Sequence, residues 1–404
     1  MKNFDSFDLH PALVDSLRRM NYAAPTPVQA QAIPPALQGR DIMGSAQTGT
    51  GKTAAFAIPL VQTLLSNSRG SALVLTPTRE LGKQIMDIMT QLLGKGTPIK
   101  TAFLIGGESM GGQLKQLRNR PRLIVGTPGR INDHLERGNL RLRDTSFLVL
   151  DEADRMLDMG FSVQIDRIVK CITCSRQTLM FSATLPRKII QMSERYLDNP
   201  ERISVGSTTS PVKDIQQEVM KVSQDQKYPA LLEQIGARQG SIIVFSKTKY
   251  GTEKLAKKLS REGHAVEAIH GDLRQNRRER VIREFRDKKY RILVATDIVA
   301  RGLDIPHIEH VINYDLPQCP EDYIHRIGRT ARAGAKGASL CLIVPQDMGK
   351  WRAIEELLNP GRKPSSSAAA RGDRRPGKRK KKSKAQRGKQ RFHRSSSAQQ
   401  AAAI

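Results

Sequence analysis

The chain has 404 residues, which is too long for one ordinary hydrophobic core and predicts two or three domains at ~150 residues each. Its formal net charge of +28 indicates a polyanionic partner. A membrane surface is the weaker alternative, because the sequence has no long apolar span, signal peptide or periodic basic amphipathic helix.

A short helical segment opens the chain, and the glycine-rich stretch "AQTGTGKT" follows it and leads into a helix. This stretch has the GxxxxGK[ST] spacing of a phosphate-binding loop, with alanine in place of the first glycine. Backbone amides of such a loop surround phosphate oxygens, its lysine reaches the outer phosphates and its threonine can ligate Mg²⁺. We predict nucleotide contacts from Ala46, Gln47, Thr48, Gly49, Thr50, Gly51, Lys52 and Thr53. A loop that binds no nucleotide is the alternative.

Apolar, β-branched runs then alternate with helical patterns: "SALVLT", "TAFLIGG", "RLIVGT", "FLVLDEAD" and "QTLMFSAT". This alternation is typical of a parallel α/β sheet, whose strands are apolar throughout because both faces are covered. "CITC" (Cys171 and Cys174) has the spacing of half a zinc site or of a redox motif, but no second pair follows it. With Cys319 and Cys341, these residues are interpreted as reduced thiols of a cytoplasmic protein.

The run "FLVLDEAD" raises a question, because an apolar strand ends in three acids within four residues, Asp151, Glu152 and Asp154. Acids in the first turn of a surface helix are the ordinary explanation. A phosphate-binding loop, however, needs a carboxylate near Mg²⁺ at the end of a neighbouring strand and a group that orients the attacking water. Asp151 fits the first role and Glu152 the second. We therefore predict Thr53 and Asp151 as the metal-side groups, and Lys52, Asp151 and Glu152 as catalytic residues.

A second α/β series begins after the polar stretch "RISVGSTTSPVKD". Its apolar runs are "IQQEVMKV", "SIIVFSKTK", "AVEAIHG", "RILVATD", "HVINYD" and "ASLCLIV". The sequence thus predicts an N-terminal domain over 1–206, a linker over 207–215, a second α/β domain over 216–359 and a tail over 360–404.

The tail is the most basic part of the chain. Residues 361–404 contain 15 of the 67 lysines and arginines but only one of the 39 acids, and Phe392 is their single aromatic residue. Such a segment cannot bury enough apolar surface to fold alone, so we predict disorder.

From Phe4 to about Pro345 the chain resembles the DEAD-box RNA helicases of helicase superfamily 2, named after the tetrad Asp151–Asp154. The resemblance implies two tandem RecA-like domains, with ATP and Mg²⁺ bound at the first. "NYAAPTPVQ" is similar to the Q motif of the family, which implies that Gln29 contacts the adenine edge and that Phe4 stacks on the base. "ATDIVARGLD" and "HRIGRTAR" imply further nucleotide contacts from Gly302 and Asp304 and arginine fingers at Arg329 and Arg332.

Other matched motifs imply a path for RNA and a link between the two sites. "PTREL", "GG", "TPGR", "VFSKT" and "QNRR" are among the motifs that border RNA in the family. The implied RNA contacts are Pro77, Thr78, Arg79, Gly106, Gly107, Thr127, Gly129, Arg130, Thr248, Gln275, Arg278 and Thr296. "SAT" couples the ATP site to strand separation in the family, and the implied coupling residues are Ser182, Thr184, Asp154 and His325.

Three positions depart from the commonest pattern: Asn21 and Ala331 stand where glycine is usual, and Gly82 where alanine is usual. All three are small or compatible with a turn, and none removes a charged catalytic group. Within the family, the short N-terminus and basic tail are most similar to bacterial RhlE-like members.

The resemblance implies RNA-stimulated ATP hydrolysis coupled to domain closure and to local, non-processive duplex opening, in ribosome assembly or RNA turnover. Ribosomal particles and RNA-degradation proteins are the implied partners. An ATP-gated clamp or annealing chaperone and a DNA-directed motor are the rival interpretations. For the tail, we favour a salt-sensitive RNA anchor over a solubilising tail or a nuclear address.

Overall fold

The computed structural model describes residues 3–46, 49–185, 187–205, 215–297, 305, 307–331 and 336–359. Within Met1–Arg362, one compact unit, the described residues form two parallel sheets with helices packed against them. The predicted tail, 360–404, and all of the predicted linker except Ile215 lie outside the described residues. Ile215 begins the first strand of the second sheet.

The first sheet is built from the segments that the sequence predicts as strands, with one further strand at each end of the series. Its strands are β1 Ile42–Ala46, β2 Ser71–Leu75, β3 Thr101–Leu104, β4 Leu123–Gly126, β5 Thr145–Leu150, β6 Gln177–Ser182 and β7 Glu201–Val205. They pair in the order β3-β4-β2-β5-β6-β1-β7, and every pairing is parallel.

Helices connect these strands, and a 3₁₀ turn over Phe4–Phe7 precedes them. The helices are α1 Pro11–Arg19, α2 Pro27–Leu37, α3 Lys52–Ser66, α4 Arg79–Leu93, α5 Met110–Arg118, α6 Pro128–Glu136, α7 Ala153–Asp158, α8 Ser162–Lys170 and α9 Arg187–Tyr196. The predicted helical N-terminal segment is confirmed by α1 and α2.

The second sheet repeats the design. Its strands are β8 Ile215–Lys221, β9 Ser241–Phe245, β10 Val266–Ile269, β11 Ile292–Ala295, β12 Ile308–Asn313 and β13 Gly337–Ile343. They pair in the order β10-β11-β9-β12-β13-β8, again all parallel. The described helices of this part are α10 Lys227–Ala237, α11 Lys249–Arg261, α12 Gln275–Arg286, α13 Pro320–Ile327 and α14 Met348–Leu358, with a 3₁₀ turn at Pro345–Asp347.

The uninterrupted apolar strands reflect burial on both faces of each sheet. In β5, Phe147 and Val149 join the hydrophobic cluster on one face, while Leu148 and Leu150 join the cluster on the other. Successive side chains of a strand point to opposite faces, so only an apolar run can fill both clusters. The predicted two-domain parallel α/β architecture is confirmed.

The cysteines form no disulfide, and among the described residues no cluster of three or more histidines, cysteines or acids has the arrangement of a metal site. None of the described helices has the length and apolar character that crossing a membrane requires.

Candidate nucleotide site and nucleic-acid groove

The predicted motifs follow the carboxyl ends of the parallel strands. In the first sheet, β1 leads into the glycine-rich loop, β2 into Pro77, β3 into Gly106, β4 into Thr127 and β5 into Asp151. Because the carboxyl ends of parallel strands lie at one edge of a sheet, ligands bind in the crevice outside that edge. Residues that are far apart in the chain therefore meet there.

Lys52 begins α3 and is buried at this edge. Its Nζ donates a 2.5 Å hydrogen bond to the carbonyl oxygen of Ala46. Burial lowers the pKa of Lys52, and the charges of Asp151 and Glu152 oppose that shift. The predicted loop lysine thus lies beside the predicted acids.

The glycine-rich loop uses glycine where the backbone requires it. Gly49 and Gly51 have φ values of 85° and 94°, a region that glycine adopts without steric strain. Thr53 lies in the first turn of α3, directly after Lys52. Gln47 and Thr48, two of the predicted phosphate contacts, lie outside the described residues.

Gln29 links the Q motif to this loop. Its Oε1 accepts a 2.9 Å hydrogen bond from the backbone N–H of Thr26, and its Nε2 donates a 3.1 Å hydrogen bond to the carbonyl oxygen of Gly51. A side chain at Gly51 would collide with Gln29. The amide is 3% exposed, so its position is fixed by packing. Adenine contact by Gln29 stays a prediction.

Phe4 is a packed residue in the structure. It is 5% exposed and meets the rings of Phe7 and Tyr22 edge-on, at centroid distances of 5.9 and 5.8 Å. These contacts hold the N-terminal turn on the first part of the chain. Base stacking by Phe4 stays a prediction.

The acids that follow β5 are buried. Asp151 is 3% exposed, and burial together with the charge of Glu152 raises its pKa to about 7, against the opposing charge of Lys52. Glu152 has a φ of 52°, a left-handed conformation that is uncommon outside glycine, and its Oε2 lies 2.5 Å from Nη1 of the fully buried Arg155. The strand end therefore concentrates carboxylates where a cation would relieve their repulsion.

Asp154 connects this strand end to the next one. Its Oδ2 accepts hydrogen bonds from the backbone N–H of Ala183 at 3.1 Å, from that of Thr184 at 2.9 Å and from Oγ1 of Thr184 at 3.0 Å. Ser182 Oγ donates a 2.6 Å hydrogen bond to the carbonyl oxygen of Thr184. The same Oδ2 lies 4.0 Å from Nε2 of His325, a residue of the second α/β part. The structure brings all four predicted coupling residues together.

The motif "HRIGRTAR" begins in α13 and is held by Arg326, a buried residue for which the sequence predicted no role. Arg326 donates to both carboxylate oxygens of Asp297 at 2.5 and 2.7 Å, and its guanidinium lies 4.7 Å from the centroid of the Phe245 ring. Arg329, one turn after His325, donates from Nε to the carbonyl oxygen of His325 at 3.1 Å. This network orients the motif next to Asp154. Gly302, Asp304 and Arg332 lie outside the described residues.

A groove of about 390 Å³ collects most of the predicted RNA contacts of the first domain. Its lining is Pro77, Thr78, Arg79, Gly106, Thr127, Gly129, Arg130, Asp133, Met159, Phe161, Gly271 and Arg278. We call this set the RNA groove. Gly107 adjoins it, and a side chain there would collide with Arg79. Asp133, Met159, Phe161 and Gly271 are lining residues that no motif had indicated.

Gln113 supports this lining from behind. Its Nε2 donates a 2.8 Å hydrogen bond to the carbonyl oxygen of Ile105, the residue before Gly106. Its Oε1 lies 2.9 Å from Nε2 of His134, a fully buried residue on α6, the helix that carries Arg130. Burial lowers the pKa of His134, which favours the neutral ring. A buried amide therefore fixes the distance between two of the motifs that are predicted to contact RNA.

Contacts between the two α/β parts cross this groove. Arg278 Nη2 lies 2.6 Å from Glu80 Oε1, and the two side chains are 5% and 3% exposed. Arg79 Nη1 donates to Gln275 Oε1 at 3.5 Å. The predicted RNA contacts Arg278 and Gln275 thus also bind the first part of the chain. Glu80 had no predicted role.

The remaining predicted RNA contacts of the second part have different settings. Thr248 is exposed and caps α11, because its Oγ1 accepts a 2.9 Å hydrogen bond from the backbone N–H of Gly251. Thr296 is buried at the end of β11. Neither lines the RNA groove, and their contact with RNA stays a prediction.

Breaking the Glu80–Arg278 pair should weaken closure selectively. Burial raises the pKa of Glu80, and the charge of Arg278 opposes that rise. Glu80→Ala leaves a buried guanidinium without its counter-charge, which costs about 3–5 kcal/mol and corresponds to roughly 10² or more in equilibrium constant. The cost falls on the closed arrangement, so we expect the RNA concentration for half-maximal ATPase stimulation to rise about 100-fold, with basal ATPase unchanged.

A conservative variant and a surface control test this result. Glu80→Gln, which keeps a hydrogen-bond acceptor for Arg278 and leaves the lining of the RNA groove unchanged, should lose less RNA affinity than Glu80→Ala, whereas Glu356→Ala, at an exposed position on α14, should have no effect. Equal half-maximal RNA concentrations for Glu80→Ala and the native chain would show that the pair does not contribute to closure.

Comparison with known proteins agrees with this geometry. Residues 26–192 match the DEAD/DEAH box helicase family, and residues 226–334 match the helicase conserved C-terminal domain. A DEAD-box ATP-dependent RNA helicase of Geobacillus kaustophilus, CshA, is 43% identical over 357 residues, which cover 88% of this chain and 76% of that protein. The predicted RhlE-like subgroup is wrong, since this relative is a CshA protein.

Solved structures support the same assignment. The Saccharomyces cerevisiae protein Dbp5 bound to RNA and ADP–BeF₃ superposes with a TM-score of 0.79 at 32% identity, over 89% of this chain and 94% of Dbp5. A DEAD-box protein of Methanococcus jannaschii is 40% identical over 88% of this chain and 97% of the other chain. Its TM-score, 0.52, is lower than that of Dbp5. The predicted RecA-like domains are confirmed. With both family regions matched in order and most of the described motif residues meeting at the nucleotide edge or the RNA groove, the chain belongs to the DEAD-box family of ATP-dependent RNA helicases.

Proposed function

We propose that this helicase is an RNA-stimulated ATPase whose two RecA-like domains close on ATP and RNA and open short RNA duplexes locally. The supporting observation is the set of contacts between the domains: His325 with Asp154 at the nucleotide edge, and Arg278 with Glu80 at the RNA groove. Each ligand favours closure by its differential affinity for the closed form. Hydrolysis then releases the RNA and resets the enzyme.

Positioning and electrostatics supply the catalysis. Lys52 neutralises charge on the outer phosphates, Glu152 orients the attacking water and Arg329 stabilises the transferring phosphoryl group. Because Arg329 belongs to the second domain, its contribution depends on closure. Nucleotide hydrolysis is therefore slow until RNA holds the domains together.

Asp151 and Thr53 fit the protein's share of a Mg²⁺ site. The pKa of Asp151 is raised to about 7 by burial and by the charge of Glu152, so a nearby cation would stabilise its ionised form. Mg²⁺ is usually held by one or two carboxylates together with substrate phosphates and water, which agrees with so small a set of protein ligands. When bound, it neutralises charge on the phosphate oxygens.

The RNA groove suits a sugar–phosphate backbone more than base edges. Arg79 and Arg130 provide charge, while Gly106 and Gly129 present no side chain to the groove. Contacts of this type fix register without reading sequence. We propose that RNA is bound largely independently of its sequence, with the 2′-hydroxyl distinguishing it from DNA.

Strand separation follows from the shape of the closed groove in this proposal. One strand is held bent across both domains and its partner is excluded, so opening is local and processivity is poor. The rival function is an ATP-gated clamp or annealing chaperone, in which closure occurs but duplexes are not opened.

Steady-state ATPase measurements with RNA and with DNA, followed by a strand-separation assay, test the proposal. We expect strong stimulation by RNA alone and ATP-dependent release of a short duplex strand. Stimulation without strand release would favour the clamp. Equal stimulation by DNA would favour a DNA-directed motor, and no stimulation by either would contradict domain closure as the catalytic switch.

We further propose that residues 360–404 anchor RNA through their charge, since this segment carries half of the net charge of the chain. Deleting it should weaken RNA binding and flatten its salt dependence, and unchanged values would refute the anchor. Ribosome assembly or RNA turnover in the cytoplasm, with ribosomal or RNA-degradation partners, is the proposed setting. A cytoplasmic setting agrees with four cysteines that form no disulfide.

A further inference from the structure

The outer face of α11 forms a second basic groove, of about 760 Å³, outside the motifs of the helicase family. We define the α11 groove by its cationic and aromatic lining: Lys249, Tyr250, Lys254, Lys257, Lys258 and Arg261. At ~1.5 Å per residue, these side chains follow about 18 Å of helix. A polyanion that runs along the helix would meet positive charge over this whole length.

The charges of this groove are largely available to a ligand. Lys254, Lys257 and Arg261 are exposed, and in the described part of the chain no carboxylate lies within ion-pair distance of them. The two acids of the groove already have partners: Asp272 lies 2.5 Å from Lys249, and Glu253 lies 2.9 Å from His270. Like charges at helical spacing repel one another, and an anionic ligand would remove that repulsion.

The α11 groove lies next to the RNA groove at residues 270–272. Gly271 lines the RNA groove, whereas its neighbours His270 and Asp272 line the α11 groove. Thr248, whose motif implies RNA contact, caps the helix at the end nearest this junction. A strand that leaves the RNA groove past Gly271 therefore reaches Lys249 first and the remaining lysines afterwards.

Tyr250 adds a feature that a solvated basic helix does not need. Its side chain is 78% exposed at the start of the groove, next to Lys249. Bases of single-stranded RNA stack on such rings, while lysines contact the phosphates. The basic C-terminal tail of this chain is excluded as the occupant, because its charge has the same sign.

We propose that the α11 groove binds the sugar–phosphate backbone of single-stranded RNA that extends beyond the RNA groove. This inference rests on the proposed RNA-stimulated ATPase and adds an affinity site to it. The site lengthens the footprint on RNA without contributing to hydrolysis. An RNA short enough to lie only in the RNA groove should not contact the α11 groove.

The test compares Lys254→Gln, Lys257→Gln and Arg261→Gln, combined in the full-length chain, with a control triple variant. The control changes Lys95, Arg141 and Arg143 to glutamine, which removes the same charge from exposed positions. These residues lie at the amino ends of strands of the first sheet, away from the carboxyl edge that carries the predicted site. Glutamine is a good helix former, so α11 should persist. Each protein is titrated with two RNAs, at about 50 and about 200 mM salt. The short RNA only fills the RNA groove, and the extended RNA continues beyond it at both ends.

For the extended RNA we expect the α11 variant to bind about tenfold more weakly than the control at low salt. The slope of log affinity against log salt should fall by about 2, since each lost single-strand phosphate contact removes ~0.7. Binding of the short RNA and its ATPase stimulation should match the control. Equal slopes and affinities of the two variants for the extended RNA would overturn the proposal, as would an equal loss for the short RNA. If the native chain shows no RNA stimulation, the proposed function fails instead.

Discussion

Replacing Arg329 with alanine should lower kcat for RNA-stimulated ATP hydrolysis by about 10³–10⁵, the range expected for an arginine finger. Arg329 is 3% exposed, and its Nε–H is bonded to the carbonyl oxygen of His325, whose ring reaches Asp154 of the other domain. The side chain is thus held next to the nucleotide edge only in the closed arrangement. Binding of ATP and of RNA should each change far less than kcat.

Two further variants define this effect. Arg329→Lys should restore little activity, because a lysine ammonium lacks the planar, multiply donating geometry of a guanidinium. Arg352→Ala removes an exposed arginine from α14 and should leave kcat unchanged. If Arg329→Ala lost less than tenfold in kcat, or lost RNA affinity in proportion to kcat, a direct role at the phosphoryl group would be wrong.

Glu152→Gln should lower kcat by about 10²–10⁴, the usual contribution of a positioned acid–base group. Glutamine keeps the shape and one hydrogen-bond acceptor for Arg155, so folding should survive, whereas Glu152→Ala would leave Arg155 without that partner. Because hydrolysis resets the closed form, the Gln variant should hold RNA longer in the presence of ATP than the native chain does. Steady-state kinetics and RNA dissociation rates measure the two effects.

Thermal unfolding provides the control for this variant. The melting temperature of Glu152→Gln should fall, because the fully buried Arg155 loses its counter-charge, but the variant should stay folded at the assay temperature. That of Glu194→Gln, at an exposed position on α9, should stay close to that of the native chain. Native-like hydrolysis by folded Glu152→Gln would show that another group orients the water.

The architecture could be predicted from sequence because its signals are local. An apolar run such as Phe147–Leu150 can be buried on both faces only in a covered parallel sheet, and the hydrophobic clusters on the two faces divide its residues alternately. The residues of the nucleotide edge could be predicted equally well, since Lys52 and Asp151 belong to motifs with fixed local spacing. Strand order then brings them together.

Partners that depend on the tertiary fold could not be predicted. Glu80 looks like an ordinary first-turn acid of α4, and only the docking of Arg278 reveals its role. Gln113 and His134 meet across two helices, and no spacing rule connects them. The resemblance to the family implies that Phe4 stacks on the nucleotide base. Its packing against Phe7 and Tyr22 could not be predicted, because that packing depends on where the N-terminal turn folds. Composition of the termini also misdirected the subgroup prediction.

The central claim is that ATP and RNA close the same pair of domains, and reciprocal affinity measurements test it most directly. RNA affinity is measured with and without a non-hydrolysable ATP analogue, and the affinity for that analogue is measured with and without saturating RNA. Linkage requires the two ratios to be equal, and we expect each to exceed about fivefold, the lower end of usual allosteric coupling. Ratios close to one would contradict closure as the link between the nucleotide site and the RNA groove.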